Sequence, residues 1–230
     1  DYLISGGQVT VALSSETDAA RFPNLNALAN AYGMNILEGS LADQGSYYQY
    51  FGSAYVFFPT LSTSDPITSG LDKDSYVMVG YDGSNQVSPA VPIEMVTPTV
   101  DGVSVTAFLT TTDSGVAYVS QDNYQTGSFV VGAYASDENS GARLTILTAD
   151  SIVDDALLSA FNGLSNAQVF MNALTAGFTD METISIAAKN LSVTNNTVRN
   201  PALWTLLFVI VIPVAVLVGG FIHWLRRRKL

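Results

Sequence analysis

Side chains able to act as nucleophile, base or metal ligand are few in this 230-residue chain, and their placement narrows the chemistry quickly. There is no cysteine, which removes thiolate catalysis, thiolate metal sites and disulfides together. The single histidine, His223, lies in an apolar stretch near the C-terminus. A serine hydrolase needs a histidine base beside its serine, and residues 1–200 contain no histidine. No G-x-S-x-G elbow occurs, and a Ser–Lys pairing could draw only on Lys73 and Lys189, neither of them in a recognisable motif.

Paired carboxylates are the remaining enzymatic option, as Asp154-Asp155 and as Asp72 with Asp74. Adjacent residues on a helix project about 100° apart, so Asp154 and Asp155 do not face a shared substrate. Standing just ahead of residues 156–161, they read as acids at a helix N-terminus. Asp150-Ser151 follows a strand, at the end where open α/β sheets place their ligand crevices. That makes the pair the small-ligand candidate, with a loop or capping role as the alternative. No D-x-[DN]-x-[DN]-G loop is present to hold calcium. Gly6-Gly7 is a turn with no G-x-x-x-x-G-K-[ST] after it. No metal or cofactor is implied, and ATP binding would come from another chain.

The elements that must carry these residues follow from periodicity. Residues 8–13 alternate and are β-prone, and 24–32 places Leu25, Leu28 and Ala29 on one helical face before Gly33. A strand from Met34 completes a strand–helix–strand unit of about 30 residues, which predicts a parallel sheet covered by helices. Further strands are predicted at 53–58, ended by Pro59, and at 142–148, the latter buried. Between them lie short segments at 76–81, 104–109, 115–118 and 128–135 with turn residues in the gaps. A helix over 167–174 stops at Gly177, and 183–188 reads as a last strand. The expected fold is α/β, a three-layer sheet with helices on both faces and a strand-rich middle, plus one C-terminal transmembrane helix. The aromatic run Tyr47-Tyr48-Gln49-Tyr50-Phe51 reads as a satellite core under the sheet, with an exposed protein- or sugar-binding surface as the alternative.

Charge divides the chain. Residues 1–200 hold 5 basic and 20 acidic side chains, a net of −15, whereas Arg226, Arg227, Arg228 and Lys229 stand without an acid. Between them, residues 202–222 are uncharged and interrupted only by Thr205, Pro213, Gly219 and Gly220. At about 1.5 Å per residue this run reaches roughly 31 Å, matching a bilayer core of about 30 Å. Trp204 and Trp224 flank it at headgroup depth, and the basic tail marks the cytoplasmic side. Four cations beside an anionic leaflet contribute on the order of 4 kcal/mol of additional holding. Pro213 predicts a kink and a freed carbonyl. Gly219 and Gly220 would let a second helix approach, although their spacing is not GxxxG, and a lone kinked anchor is the alternative. The division is therefore an extracytoplasmic domain over 1–178, a juxtamembrane segment over 179–200, a transmembrane helix over 201–225 and a basic cytoplasmic tail over 226–230. An acidic surface of this size repels phosphates, so no nucleic-acid partner is expected. Residues 1–7 read as the last turn of a helix with a glycine cap, which predicts that the chain is a piece of a longer protein.

Several segments, in order, resemble the ectodomain of the GldG family of ABC-transporter auxiliary proteins. They are Asp1-Tyr2-Leu3 with Gly6-Gly7, Leu25-Asn26-Ala27-Leu28 with Tyr32-Gly33-Met34, and residues 65–71 from Asp65-Pro66 to Gly70-Leu71. Strand 142–149 with Asp150-Ser151, Asn166 with Asn172, and the close from Ile212-Pro213 through Gly219-Gly220 to Trp224 and Arg226–Arg228 continue the series. The resemblance implies a glutamine-amidotransferase-like or flavodoxin-like domain on a bacterial cell membrane protein. It also implies a non-catalytic accessory role beside an ABC permease and ATPase, with links to gliding motility. A Cys–His–Glu triad of the amidotransferase kind is excluded by composition. The competing expectation, from another class, is a surface-anchored ligand- or carbohydrate-binding domain.

Overall fold

A computed structural model describes residues 1–14, 21–71, 75–81, 86–161, 163–178 and 205–228. The chain divides into two compact units, Asp1–Thr183 and Ile184–Leu230.

The first unit is mixed α/β and rich in strand. Its larger sheet runs β1 (Gln8–Ala12), β10 (Arg143–Leu147), β9 (Val130–Asp137), β5 (Ile93–Met95), β2 (Met34–Ile36), with β6 (Val103–Thr110) also on β9 and β4 (Thr60–Leu61) on β6. The smaller sheet is β3 (Ser40–Asp43), β7 (Gly115–Ser120), β8 (Asn123–Thr126). Among the described strands only β1 and β10 pair in parallel, Val9 opposite Leu144 and Val11 opposite Ile146, and the other ladders are antiparallel; Tyr76 and Leu164 form an isolated parallel bridge.

The predicted parallel unit is thus corrected. The local strand–helix–strand pattern exists as β1, α1 (Pro23–Ala31) and β2, but β1 and β2 do not pair. Three strands lie between them in the sheet order. Local pattern dictates the crossover, whereas β1 finds its neighbour in β10, more than 130 residues later, and β2 finds its own in β5. The strand expected over 53–58 is not formed either. Gly52 leaves a short 3-10 turn in the left-handed conformation, Val56 N–H turns back to the Ser53 carbonyl, and only Phe57 makes isolated bridges, to Tyr47 and Val79. The expected strand at 183–188 and the segment 179–200 lie outside the described residues.

Alternation explains the core. Leu144 and Ile146 of β10 join Ala133 and Ala135 of β9 and Ala29 of α1 in one buried cluster. Leu147, on the opposite parity, joins Phe108 of β6 and Val169 and Ala173 of α3 (Asn166–Thr175) in another. Near the N-terminus, Gly6 adopts φ +88°, Gly7 N–H bonds to the Tyr2 carbonyl and Gly6 N–H to the Leu3 carbonyl. That is the double hydrogen bond of a glycine-ended helical turn, as the sequence indicates.

The passage between the two sheets is held by one carboxylate. Asp43, fully buried at the end of β3, accepts four hydrogen bonds. Oδ1 takes Gly45 N–H at 2.8 Å and Thr112 Oγ1 at 2.6 Å; Oδ2 takes Thr112 N–H at 2.7 Å and Ser46 Oγ at 3.0 Å. Thr112 lies on the connection from β6 in one sheet to β7 in the other. Losing the acceptor would leave buried donors without partners, at about 1–3 kcal/mol each. Asp43→Ala is therefore expected to lower stability by about 3 kcal/mol, read as a drop in the unfolding midpoint in denaturant.

The second unit contains a π-helical turn, Leu206–Val211, followed without a break by α4 (Ile212–Arg227). Ile212 N–H reaches back five residues to the Leu207 carbonyl, immediately ahead of Pro213, which has no N–H to give. The freed-carbonyl expectation at Pro213 thus meets a widened turn.

Candidate functional site

Asp150 and Ser151 follow β10 in a 3-10 turn, Asp150–Val153. β10 lies parallel to β1, so both strands point their C-terminal ends this way. The two side chains nevertheless part company. Asp150 is exposed, with Oδ1 at 3.5 Å from Ser88 Oγ. Ser151 is 2% exposed, and its Oγ accepts the Gly80 N–H at 3.1 Å. Gly80 is irreplaceable in this conformation: φ is +87°, and a Cβ there would sit 1.8 Å from the Tyr55 carbonyl oxygen. The serine hydroxyl therefore fastens the loop around Gly80 to the end of the sheet. The next turn behaves as the sequence predicts. Asp154 caps α2 (Asp155–Ala160), its Oδ1 accepting Ala156 N–H at 2.7 Å, with Asp155 in the first turn.

A second polar cluster escaped sequence reasoning. Asp65 is buried; its Oδ1 accepts Ile67 N–H at 2.9 Å and its Oδ2 the Tyr134 hydroxyl at 3.1 Å. Arg143 of β10 lies over the Tyr134 ring, Cζ 3.6 Å from its centroid. Burial and the Asp65 carboxylate push the Tyr134 phenol above its ordinary value. Burial draws the Arg143 guanidinium down, opposed by Tyr134 and Asp65, and its Nη2 is buried without a hydrogen-bond partner. The signal in sequence was thin: Asp65-Pro66 reads as a turn and Arg143 as the first residue of a strand, 78 positions apart.

Asp137, at the end of β9, accepts Ser140 Oγ at 2.6 Å and Asn139 N–H at 2.9 Å. Those donors, the serine hydroxyl first, hold its carboxyl below the usual 3.8. Among the described residues no group of three or more His, Asp or Glu side chains is placed to hold a metal ion.

The aromatic run divides. Tyr48 and Phe51 pack with Phe58, Tyr81 and Phe161 beside a buried cluster of Val56, Met78 and Leu157, as a satellite core. Tyr50 is 84% exposed, and Tyr47 and Tyr76 are partly so.

Of the residues expected to form a membrane anchor, Trp204 and Lys229 lie outside the described residues. Pro213, Gly219, Gly220, Trp224, Arg226 and Arg227 all belong to α4, and Arg228 caps it. The helix Leu206–Arg227 is 22 residues long and contains an 18-residue window of mean hydropathy 2.7, long and apolar enough to cross a membrane, and no part of that window is buried. Arg228 lies over the Trp224 ring at 4.9 Å, and Phe221 stacks on Trp224. A Cβ at Gly219 or Gly220 would meet open space.

The described residues define a strand-rich mixed α/β domain and one C-terminal helix of membrane-spanning length. The chain matches no protein-family profile and no curated protein. Five solved chains do match it; one, the mmIFT52 N-terminal domain, superposes with a TM-score of 0.53 at 20% identity, over 78% of this chain and 69% of that one. At that identity the likeness concerns the fold alone.

Two outcomes follow from the geometry. Ser151→Ala, which orphans the Gly80 N–H, should cost about 1–3 kcal/mol of stability, whereas exposed Asp150→Ala should stay within about 0.5 kcal/mol; chemical denaturation compares them directly. Because the Asp137 carboxyl is depressed in the folded state, its contribution is full above the ordinary carboxylate value and is lost as pH falls through the folded one. The gap in melting temperature between the wild type and Asp137→Asn should be widest near neutral pH and close progressively below about pH 3.8 in a thermal-melt series.

Proposed function

We propose that this chain is a non-catalytic, membrane-anchored accessory subunit of a bacterial ABC transport system. Its domain faces outward and couples to or gates a permease, while a separate ATPase supplies the energy. The observation that carries the reading is the exposed 22-residue apolar helix ending in Arg226, Arg227 and Arg228. The positive-inside rule then puts the C-terminus in the cytoplasm and the acidic domain outside the cell membrane. The GldG-like order of motifs supplies the transporter context. The roles of Asp43, Ser151 and Asp154 support it, since each of these side chains ties down the chain's own backbone. The finer architecture we propose is a three-layer one, with α1 and α3 on opposite faces of the sheet, as the opposite parities of Leu144 and Leu147 suggest. The open space at Gly219 and Gly220 suits a permease helix.

A second reading, a surface-anchored carbohydrate-binding domain, has one observation in its favour: the Tyr50 ring is turned to solvent beside other aromatics. Extraction in mild detergent followed by affinity capture and mass spectrometry separates the two. A polytopic permease and a P-loop ATPase are expected to co-purify in fixed proportion. Recovery as a monomer across several detergents would remove the transporter reading.

A further inference from the structure

The smaller sheet ends on an open edge. β3 is covered on its outer side, where Leu41 N–H bonds to the Ala90 carbonyl and Asp43 N–H to the Ala54 carbonyl. Among the described residues β8, at the other end, pairs only with β7. Gly127 N–H bonds to the Gly115 carbonyl, which sets the alternation along β8. Gln125 therefore turns its backbone groups to β7, and those of Tyr124 and Thr126 point outward. All four residues of β8 have exposed side chains and none is lysine or proline, the usual protections of a free edge.

Two clefts meet at Leu37 and Gln125, the smaller of them over the face of the sheet that carries Ala117, Val119, Asn123 and Gln125. One, of about 430 Å³, is lined by Ile93, Glu94 and Met95 of β5 on one side and by residues 125–130 on the other. The second, of about 190 Å³, adds Glu38, Val119 and Tyr124. Beyond Ile93, which meets Val130, the outer edge of β5 has no strand beside it among the described residues. The edge of β8 therefore offers backbone donors and acceptors, and the clefts over the adjoining face offer apolar side chains at intervals. Glu38 and Glu94 line the groove that the clefts form with exposed carboxylates, and no lysine or arginine lies among its lining residues.

We propose that this groove binds an extended, basic segment of a partner protein, which adds to β8 as a further strand. Main-chain bonds to Tyr124 and Thr126 supply affinity, and lysine or arginine side chains at alternate positions reach Glu38 and Glu94. Charge decides against a second copy of this chain, because residues 1–200 carry 5 basic against 20 acidic side chains, and two such surfaces repel. The inference stands on the groove alone and survives if the transporter reading fails.

The test uses the full chain in lipid nanodiscs and three capped octapeptides: alternating Lys-Val, alternating Glu-Val, and the Lys-Val peptide N-methylated along one edge. Fluorescence anisotropy should give binding of the Lys-Val peptide at least tenfold tighter than of either other peptide. Thr126→Pro removes only an outward N–H and should weaken that binding about tenfold with the melting temperature little changed. Glu38→Gln combined with Glu94→Gln should weaken it several-fold and flatten its salt dependence. Equal binding of the N-methylated peptide would mean unspecific charge attraction and overturn the proposal. So would equal binding of Glu-Val, no binding at millimolar peptide, or dimerisation of the chain that Thr126→Pro abolishes. Should Thr126→Pro unfold the domain, the N-methylated peptide still decides the matter.

Discussion

A fully buried carboxylate, Asp43, stands where the chain leaves one sheet for the other, and the arrangement of both sheets depends on it. Burying an ion without partners would be strongly unfavourable, so the site holds only because four donors converge on it. Two of the four come from Thr112, the residue that turns β6 into β7. Next to it, Thr111 fixes the start of β9, its hydroxyl accepting the Phe129 N–H at 2.9 Å. The route from β6 through β7 and β8 to β9 is thereby closed by polar contacts at its base, and the hydrophobic clusters fill in around it.

The same device recurs on a smaller scale. Asp65 shapes the turn at Pro66 and reaches Tyr134, Asp137 closes the turn into β10, and Asp154 begins α2. An acidic composition would suggest carboxylates scattered on a surface. Four of the twenty are instead positioned by their backbone and hydroxyl donors, and they organise loops that contain little regular structure of their own.

What was readable in the sequence divides along range of interaction. α1 and α3 were legible to within a residue because helical spacing and glycine stops are local, and the Asp154 cap is a local signal too. β10 was legible from its apolar run. The parallel partner of β1 was not the one the nearby pattern suggested, because β10 lies more than 130 residues further on and nothing near β1 encodes that choice. Asp43 carried no sign of its role, since Thr112 lies 69 positions away. Of Asp150 and Ser151, only their place after β10 was legible; which side chain turns inward depends on Gly80, on a separate loop.

The π-helical turn before Pro213 also changes how the C-terminal helix must be understood as an object. Such a turn inserts one residue into the spiral, and at 3.6 residues per turn one residue is about 100° of rotation. The side chains that open the turn, Leu206 and Leu207, are therefore out of phase with the stripe that carries Gly219 and Gly220 by more than a quarter of a circle. A straight neighbour cannot follow one continuous seam along the whole length. The helix has two azimuths, and it can address two different companions at its two ends.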